Sequence, residues 1–525
     1  MSLDYLIQNA VVLDGSGAPG FSADVAISGG KIEGVGHFPN ARAAHTLDAR
    51  GRVLTPGFLD IHRHADAACF RPGFGELELR QGLTSIVSGN CGLSLAPVSG
   101  PHRQAILDYL APVTGPVGPE VPTGSLADYR AALRTPLHLG MLVGAGTLRA
   151  VAAGYDVRQL EDSHYRAIHA MLETALADGA LGVSLGLGYA PECFYSTPEL
   201  IHALAPLTGS GVPITVHMRS EGDGMVDSLR EMLEVAQALH TPVHISHLKA
   251  IGQRNWRRLI PQALVLLDQA RQTGLDVSCD VYPYTAGSTQ LTHILPPEFL
   301  QGGTDAICAR LADPLQREQL ARRLDTGTDF ENIVLLAGWE NICMSTMTRP
   351  ENKPYEGLSV EEAAQRRGQA PLDCACDLLV SERCGITMID FIAQEEDVEE
   401  ILRSDCSCVI SDSTYPTQGL PHPRLYGTFI RVLERYVRQR RTLSLSQAVA
   451  RMTRIPAGVL RLRSKGRIAP GYDADLNLFD PALVHEAGSY ADPAQFPTGM
   501  DWVFVAGRPV ISEGVYLGGS GGKVL

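Results

Sequence analysis

The chain has 525 residues, of which 45% are hydrophobic and 19% charged, a balance that suits a large folded core and excludes a disordered protein. Its 58 acidic residues outnumber 44 Lys and Arg, for a formal charge of −14, which argues against the basic surfaces that bind nucleic acids or anionic membranes. No apolar run approaches the ~18 residues of a membrane helix, and the opening MSLDYLIQNAVVLDG lacks the basic leader of a signal peptide. Eleven cysteines, an odd number with no CxxC pair, fit reduced thiols in a cytoplasm better than a disulfide framework. The CxC pairs Cys374/Cys376 and Cys406/Cys408 read as small buried hydrophobes.

Residues 1–57 contain short apolar runs punctuated by glycine, as in β-hairpins. From Leu59 the rhythm changes to short apolar runs separated by helical patterns. The strand candidates are LDIHRH (59–64), LTSIVSGN (83–90), HLGMLVGAG (138–146), ALGVSLGL (180–187), PITVHM (213–218), PVHISHL (242–248), LDVSCDVYPY (275–284) and SCVISD (407–412). Helices are expected over Val157–Asp178, Asp223–His240 and Trp256–Thr273. Eight strands alternating with helices predict an α/β fold, a parallel (β/α)8 TIM-like barrel spanning 58–460. The gap from Tyr284 to Ser407 is too long for one crossover, so an insertion over 287–358 is expected to cover the barrel mouth as a lid. After a Ser-capped helix over Leu443–Leu460, hairpin character returns. Residues 1–57 and 461–525 are expected to form one small β-sandwich domain, and the tail GGSGGKVL reads as flexible.

Barrel active sites form at the carboxyl ends of the strands, and there the residue types become informative. Strand 1 ends in His62 and His64, strand 2 runs into Asn90 and Cys91, strands 5 and 6 end at His217 and His247, strand 7 carries Tyr282 and Tyr284, and strand 8 ends at Asp412. Alternation along a strand puts His62 and His64 on one face. Cys91, His217 and His247 make a three-ligand zinc site with an open position for water. His62, His64 and Asp412 hold a second ion or orient the first. A lone barrel histidine is more often a satisfied core group; it is the convergence of so many ligand types at one end that points to metal.

Six segments, GFLDIHRHAD (57–66), VSGNCGLSLAPV (87–98), HMRSEGD (217–223), HISHLKAIG (244–252), DVYPYTAGST (280–289) and HPRLYGTF (422–429), together resemble the N-acyl-D-amino-acid deacylases, or D-aminoacylases, of the amidohydrolase superfamily. The resemblance runs from about Gly57 to Asp480. It implies that Cys91, His217 and His247 are the ligands of one tightly bound Zn2+, that His62 and His64 belong to a weaker second site, and that Asp412 is the catalytic aspartate. It further implies that Lys249, Tyr282 or Tyr284, Ser288 and Arg424 hold the substrate carboxylate, and that Tyr189 lies near the substrate. The departures are Ser413, where glycine is common, Tyr426, where tryptophan is common, and Arg63 between the two histidines.

The chemistry agrees with that resemblance. Zinc activates water and polarises an amide carbonyl, a carboxylate at the mouth moves the proton, and an arginine fork suits a substrate carboxylate. The expected reaction is therefore zinc-dependent hydrolysis of the amide of N-acyl-D-amino acids, small molecules, with no nucleic-acid or membrane partner. The rivals are a cyclic-amide hydrolase of the dihydroorotase or hydantoinase kind and a non-catalytic barrel scaffold. The first usually needs a carbamylated lysine on strand 4, and ALGVSLGL has none; the second would have lost ligands. The GVSLG at Gly182–Gly186 matches a serine-hydrolase elbow, but its glycines suit a backbone turn beside the cavity. Between Ser288 and Leu300 there is no Lys or Arg, only His293 among residues such as Leu291, Ile294 and Leu295. An unpaired second carboxylate is costly to bury, so neutral, hydrophobic side chains are expected, with Arg63 as the threat to that expectation should it face the pocket.

Overall fold

The computed structural model describes residues 3–519 and 521–525. Eight strands in the expected order form the barrel: β1 Phe58–Asp60, β2 Leu83–Ser88, β3 His138–Met141, β4 Val183–Gly186, β5 Ile214–His217, β6 Val243–Ile245, β7 Val277–Val281 and β8 Ser407–Val409. All neighbours are parallel. β1, β2 and β3 pair in turn, Val143–Gly144 continues β3 onto β4, and β4 to β8 follow in sequence. The ring closes through a parallel bridge between Arg63 and Ser413, where Asp412 N donates to His62 O at 2.9 Å and His64 N to Ser413 O at 2.9 Å. Most barrel strands are buried on both faces, as at Ile214–His217, and for this reason they read as apolar runs rather than alternating ones.

The helices follow their signals closely. Asp162–Ala177 opens on a capping box between Glu161 and His164, Met225–Leu239 ends on His240 in a left-handed conformation, and Leu259–Gln272 packs next along the barrel wall. The expected helix after the barrel breaks in two at Thr453, giving Leu445–Met452 and Arg454–Val459.

Strands from both ends of the chain join as one nine-stranded sheet. Val53–Pro56 pairs antiparallel with Leu476–Phe479, so the first and last portions meet at its centre. Beneath it, Asp475 reaches the barrel: it accepts from His138 Nε2 at 2.9 Å and Lys465 Nζ at 2.5 Å. The tail is not free. Gly522 N donates to Thr135 O, Lys523 N to His138 Nδ1 and Leu525 N to Leu139 O, which lays the end of the chain along β3.

Between β7 and β8 the chain builds a three-stranded antiparallel sheet from Ala286–Gln290, Ile342–Thr346 and Thr387–Phe391, with the last strand in the middle. The excursion therefore extends past the expected end at Leu358. Its central strand lies some thirty residues further on, because a two-stranded ribbon alone would leave that face unpartnered. Among the described residues, no helix is long and apolar enough to cross a membrane.

Candidate active site

Most of the residues that mattered in the sequence lie just past the ends of the barrel strands, although His217 is the last residue of β5. β1 ends at Asp60, β6 at Ile245 and β8 at Val409, and the chemistry sits on the turns just beyond. Cys91 (φ 54°), His247 (φ 38°) and Asp412 (φ 52°) all adopt left-handed backbone, which is costly for non-glycine residues and concentrates at functional sites. The turn that carries Cys91 is held by Ser184, whose Oγ donates to Gly89 O at 2.5 Å and accepts from Gly92 N at 3.0 Å. Ser184 is therefore a buried brace, and not an exposed nucleophile.

Around these turns two donor groups share Cys91: Cys91, His217 and His247 in one, and His62, His64, Cys91 and Asp412 in the other. In the first, His217 Nδ1 lies 3.1 Å from His247 Nε2, which lies 3.6 Å from Cys91 Sγ. Two ligand atoms on one tetrahedral zinc stand ~3.3–3.6 Å apart when bond lengths are about 2.0–2.3 Å, so the buried donor set fits that ion. Glu221 Oε1 accepts from His247 Nδ1 at 2.9 Å, leaving Nε2 with its lone pair toward the centre, the carboxylate–histidine arrangement common behind metals. In the second group, His62 Nε2 is 3.2 Å from Cys91 Sγ, and both His62 and His64 lie 3.3 Å from Asp412 Oδ1.

Electrostatics prepare both acids. Burial raises the Cys91 thiol, but the His62 charge and hydrogen bonds from neighbouring histidines outweigh it and hold the thiol well below its ordinary range. Burial likewise opposes ionisation of Asp412, yet Arg424 and the two histidines keep it well below the usual carboxylate range. Glu221, buried but facing Lys249, His247 and His217, is held down to about 2.

A cavity opens over this floor. Of the expected substrate residues, Lys249, Tyr189, Tyr282 and Ser288 line it. Lys249 Nζ ion-pairs with Glu221 Oε2 at 2.6 Å, and the Tyr282 hydroxyl has no hydrogen-bond partner among the described residues. Tyr189 lies 4.6 Å, centroid to centroid, from His217 and bonds Thr289 Oγ1 at 2.9 Å, tying the barrel to the excursion.

Two expectations are corrected. Tyr284 does not face the cavity: a tight turn after β7 (Tyr284 N to Tyr282 O, 2.9 Å) rotates it outward to Glu486 at 2.6 Å. Arg424 does not line the cavity either. It is fully buried behind Asp412, with Nη1 2.9 Å from Asp412 Oδ2 and Nη2 donating to Ser288 O at 3.0 Å. It therefore bears on the aspartate and the cavity wall, and its Nε is left without a hydrogen-bond partner among the described residues. Arg63 points away from the cavity into a buried cluster with Tyr415, Asp60 and Glu78, which removes it as a threat to a neutral pocket.

A family model described as the amidohydrolase family matches residues 45–511. The chain belongs to the amidohydrolase family. Among its relatives, D-aminoacylase from Alcaligenes xylosoxydans xylosoxydans is 34% identical over 99% of this chain and 97% of that protein. N-acyl-D-glutamate deacylase from the same organism is 34% identical over 97% and 94%. The crystal structure of N-acyl-D-glutamate deacylase from Bordetella bronchiseptica, complexed with zinc and a phosphonate mimic of the tetrahedral intermediate, matches with a TM-score of 0.84 at 30% identity over 100% of both chains.

In this amidohydrolase three further acidic residues, Glu221, Glu331 and Asp390, line the site without standing at a strand end that would mark them in the sequence. Glu221 lies inside the HMRSEGD segment, four residues after His217 and so past the end of β5. Glu331 and Asp390 come from the excursion and reach the cavity only through its fold.

Proposed function

We propose that the protein is a zinc-dependent N-acyl-D-amino-acid deacylase, cleaving the amide to a carboxylate and a free D-amino acid. The observation that carries this reading is the shared donor set, Cys91 with His217 and His247 on one side and with His62, His64 and Asp412 on the other, in a chain whose full-length relatives are deacylases. Cys91 as the common member, with no lysine on β4, favours this reading over a cyclic-amide hydrolase. We infer one tight zinc at Cys91, His217 and His247 and a weaker second position at His62 and His64. A zinc ion held there supplies acidification of water and polarisation of the amide carbonyl.

The remaining steps belong to side chains. Asp412 Oδ1, ionised and steadied by His62, His64 and Arg424, takes a proton from the attacking water. As the C–N bond breaks, the same oxygen returns that proton to the leaving amine nitrogen. Lys249 Nζ, the Ser288 hydroxyl and the Tyr282 hydroxyl hold the substrate carboxylate, and Tyr189 closes the side next to His217. The excursion from Ala286 to Phe391 serves as the lid that keeps bulk water out. Eleven unpaired cysteines support a cytoplasmic setting.

The test is turnover of paired N-acetyl-D- and N-acetyl-L-amino acids by zinc-loaded protein, with Asp412→Asn beside it. D-selective hydrolysis is expected, with kcat ~10²–10⁴-fold lower in the variant while zinc at the three-ligand site is retained. Hydrolysis of the L-isomers alone, or undiminished turnover by Asp412→Asn, would overturn the assignment.

A further inference from the structure

Far from the donor set, the excursion holds two thiols side by side. Cys308 sits on the helix Gly303–Ala312. Cys384 sits in the turn between the helix Pro371–Ser381 and the central strand Thr387–Phe391. The two are 76 residues apart in the chain, yet their Sγ atoms lie 3.8 Å from each other. A second contact fixes the pair from outside: Arg383 Nη2 donates to Asp305 Oδ1 at 2.7 Å, joining the residue before Cys384 to the turn before Cys308. The Cys384 turn is itself well defined. Arg383 (φ 50°) and Cys384 (φ 61°) are both left-handed, and Cys384 N donates to Leu379 O at 2.8 Å.

The two thiols differ in the way that disulfide exchange requires. Cys308 is half-buried and Cys384 buried, so a dissolved oxidant meets Cys308 first. The hydrogen bond from Cys384, aided by Arg383, holds the Cys308 thiol down to about 7. The same contact and burial push Cys384 up. The thiolate is the attacking form, which gives Cys308 the attack and Cys384 the second step. A disulfide is about 2.05 Å long, so sulfurs already in contact bond with only a short approach. The other close pair, Cys279 and Cys406 at 3.9 Å, is buried at both members.

We propose that Cys308 and Cys384 are a modification site, at which a small soluble disulfide such as oxidised glutathione converts them reversibly into a disulfide that staples the excursion. Cys308 Sγ attacks one sulfur of oxidised glutathione, whose S–S bond breaks and releases one reduced glutathione. Cys384 gives up its thiol proton and attacks Cys308 Sγ, and the second glutathione leaves and takes up a proton. Two protein thiols are oxidised and one small disulfide is reduced to two thiols. The staple ties together the parts of the excursion that wall the cavity. Two residues past Cys384, Ile386 O accepts from Leu291 N at 2.8 Å, and Leu291 opens the short helix Leu291–Ile294 that brings His293 to the cavity. A transient bond of this kind suits a reducing compartment, and the inference stands apart from the deacylase reading.

The experiment incubates the full-length protein with excess oxidised glutathione, blocks remaining thiols, and maps peptides by mass spectrometry without reduction. A cross-linked Cys308–Cys384 peptide is expected, with two thiols per chain lost and both regained after dithiothreitol. Limited proteolysis reads the staple. Cleavage within the excursion should slow by about 10-fold or more in the oxidised protein, because closing a long loop disfavours the opened form on which a protease acts. That protection should be absent in Cys308→Ser treated in the same way. Cys308 found only as its glutathione adduct, or a first disulfide at Cys279 and Cys406, would overturn the assignment. A Cys308–Cys384 bond that left cleavage unchanged would overturn the staple. The wild-type map decides the site even if the variant does not fold.

Discussion

Glu221 shows how one buried carboxylate can organise a centre. It holds His247 Nδ1 with one oxygen and Lys249 Nζ with the other, so the orientation of a metal donor and the position of a cavity cation depend on a single side chain. Glu221→Gln should therefore weaken zinc binding by about 10–100-fold, the usual effect of removing a carboxylate behind a ligand, measured by competition with a chromophoric chelator. Unchanged affinity would mean that packing alone fixes the imidazole. The ligand types themselves were readable in the chain, because histidine, cysteine and aspartate at the ends of successive barrel strands have few other reasons to gather. Which way long side chains turn was not. Arg424 and Tyr284 occupy the segments in which substrate contacts were expected, yet one lies behind Asp412 and the other against Glu486; Tyr284 follows the end of β7 and Arg424 opens a helix, where a matching segment does not fix the direction of a long side chain.

At the scale of elements, the turn after β2 is tightly constrained. Gly89 (φ 81°) and Gly92 (φ 72°) flank Cys91. A Cβ on Gly89 would overlap the carbonyl oxygen of Leu142, and one on Gly92 the carboxylate of Glu192. Gly89→Ala should cost ~1–3 kcal/mol, the range for overpacking a tight interior, and should displace Cys91 enough to lower bound zinc below one per chain. Urea denaturation and metal analysis of the same preparation check both effects; a loss of stability with full zinc would separate the turn from the site. All eight barrel strands were legible as apolar runs, but each was read too long by a few residues at one end or both. At the carboxyl end, Cys91, His247 and Asp412 leave the ladder for left-handed backbone, and apolar pattern does not register that departure. The excursion was visible only as an interval too long for a crossover. Its sheet depends on pairing Ala286–Gln290 with Thr387–Phe391, a contact about a hundred residues apart that local pattern does not encode.

At the scale of the whole molecule, Asp475 joins three parts that are distant in the chain. His138 on β3, Lys465 and the backbone N–H of Ala506 all converge on its carboxylate, and His138 in turn receives the tail at Lys523. Burial alone would raise this carboxyl, but His138 and Lys465 hold it below its ordinary value. Breaking such a buried pair costs about 3–5 kcal/mol, so Asp475→Asn should be markedly less stable at neutral pH. Because the folded value is depressed, the stabilisation is present in full above the unfolded carboxyl value of about 4. It is lost as pH falls through the lower folded value. Denaturation of both proteins from pH 7 to pH 3 should show the gap closing only below about pH 4; a gap that narrowed between pH 7 and pH 5 would assign the effect to another group.

The cavity is made of two separately encoded halves. Its floor comes from turns at the ends of the barrel strands, while Ser288, Thr289, Asp390 and Ile392 come from the excursion sheet or its immediate edge. A mutation on that sheet can alter which molecule is accepted without disturbing the atoms that break the bond. Descendants of one ancestral barrel can thus diversify their diets while inheriting a single cutting tool, and an engineer can graft the sheet of one such protein onto the barrel of another as a cassette.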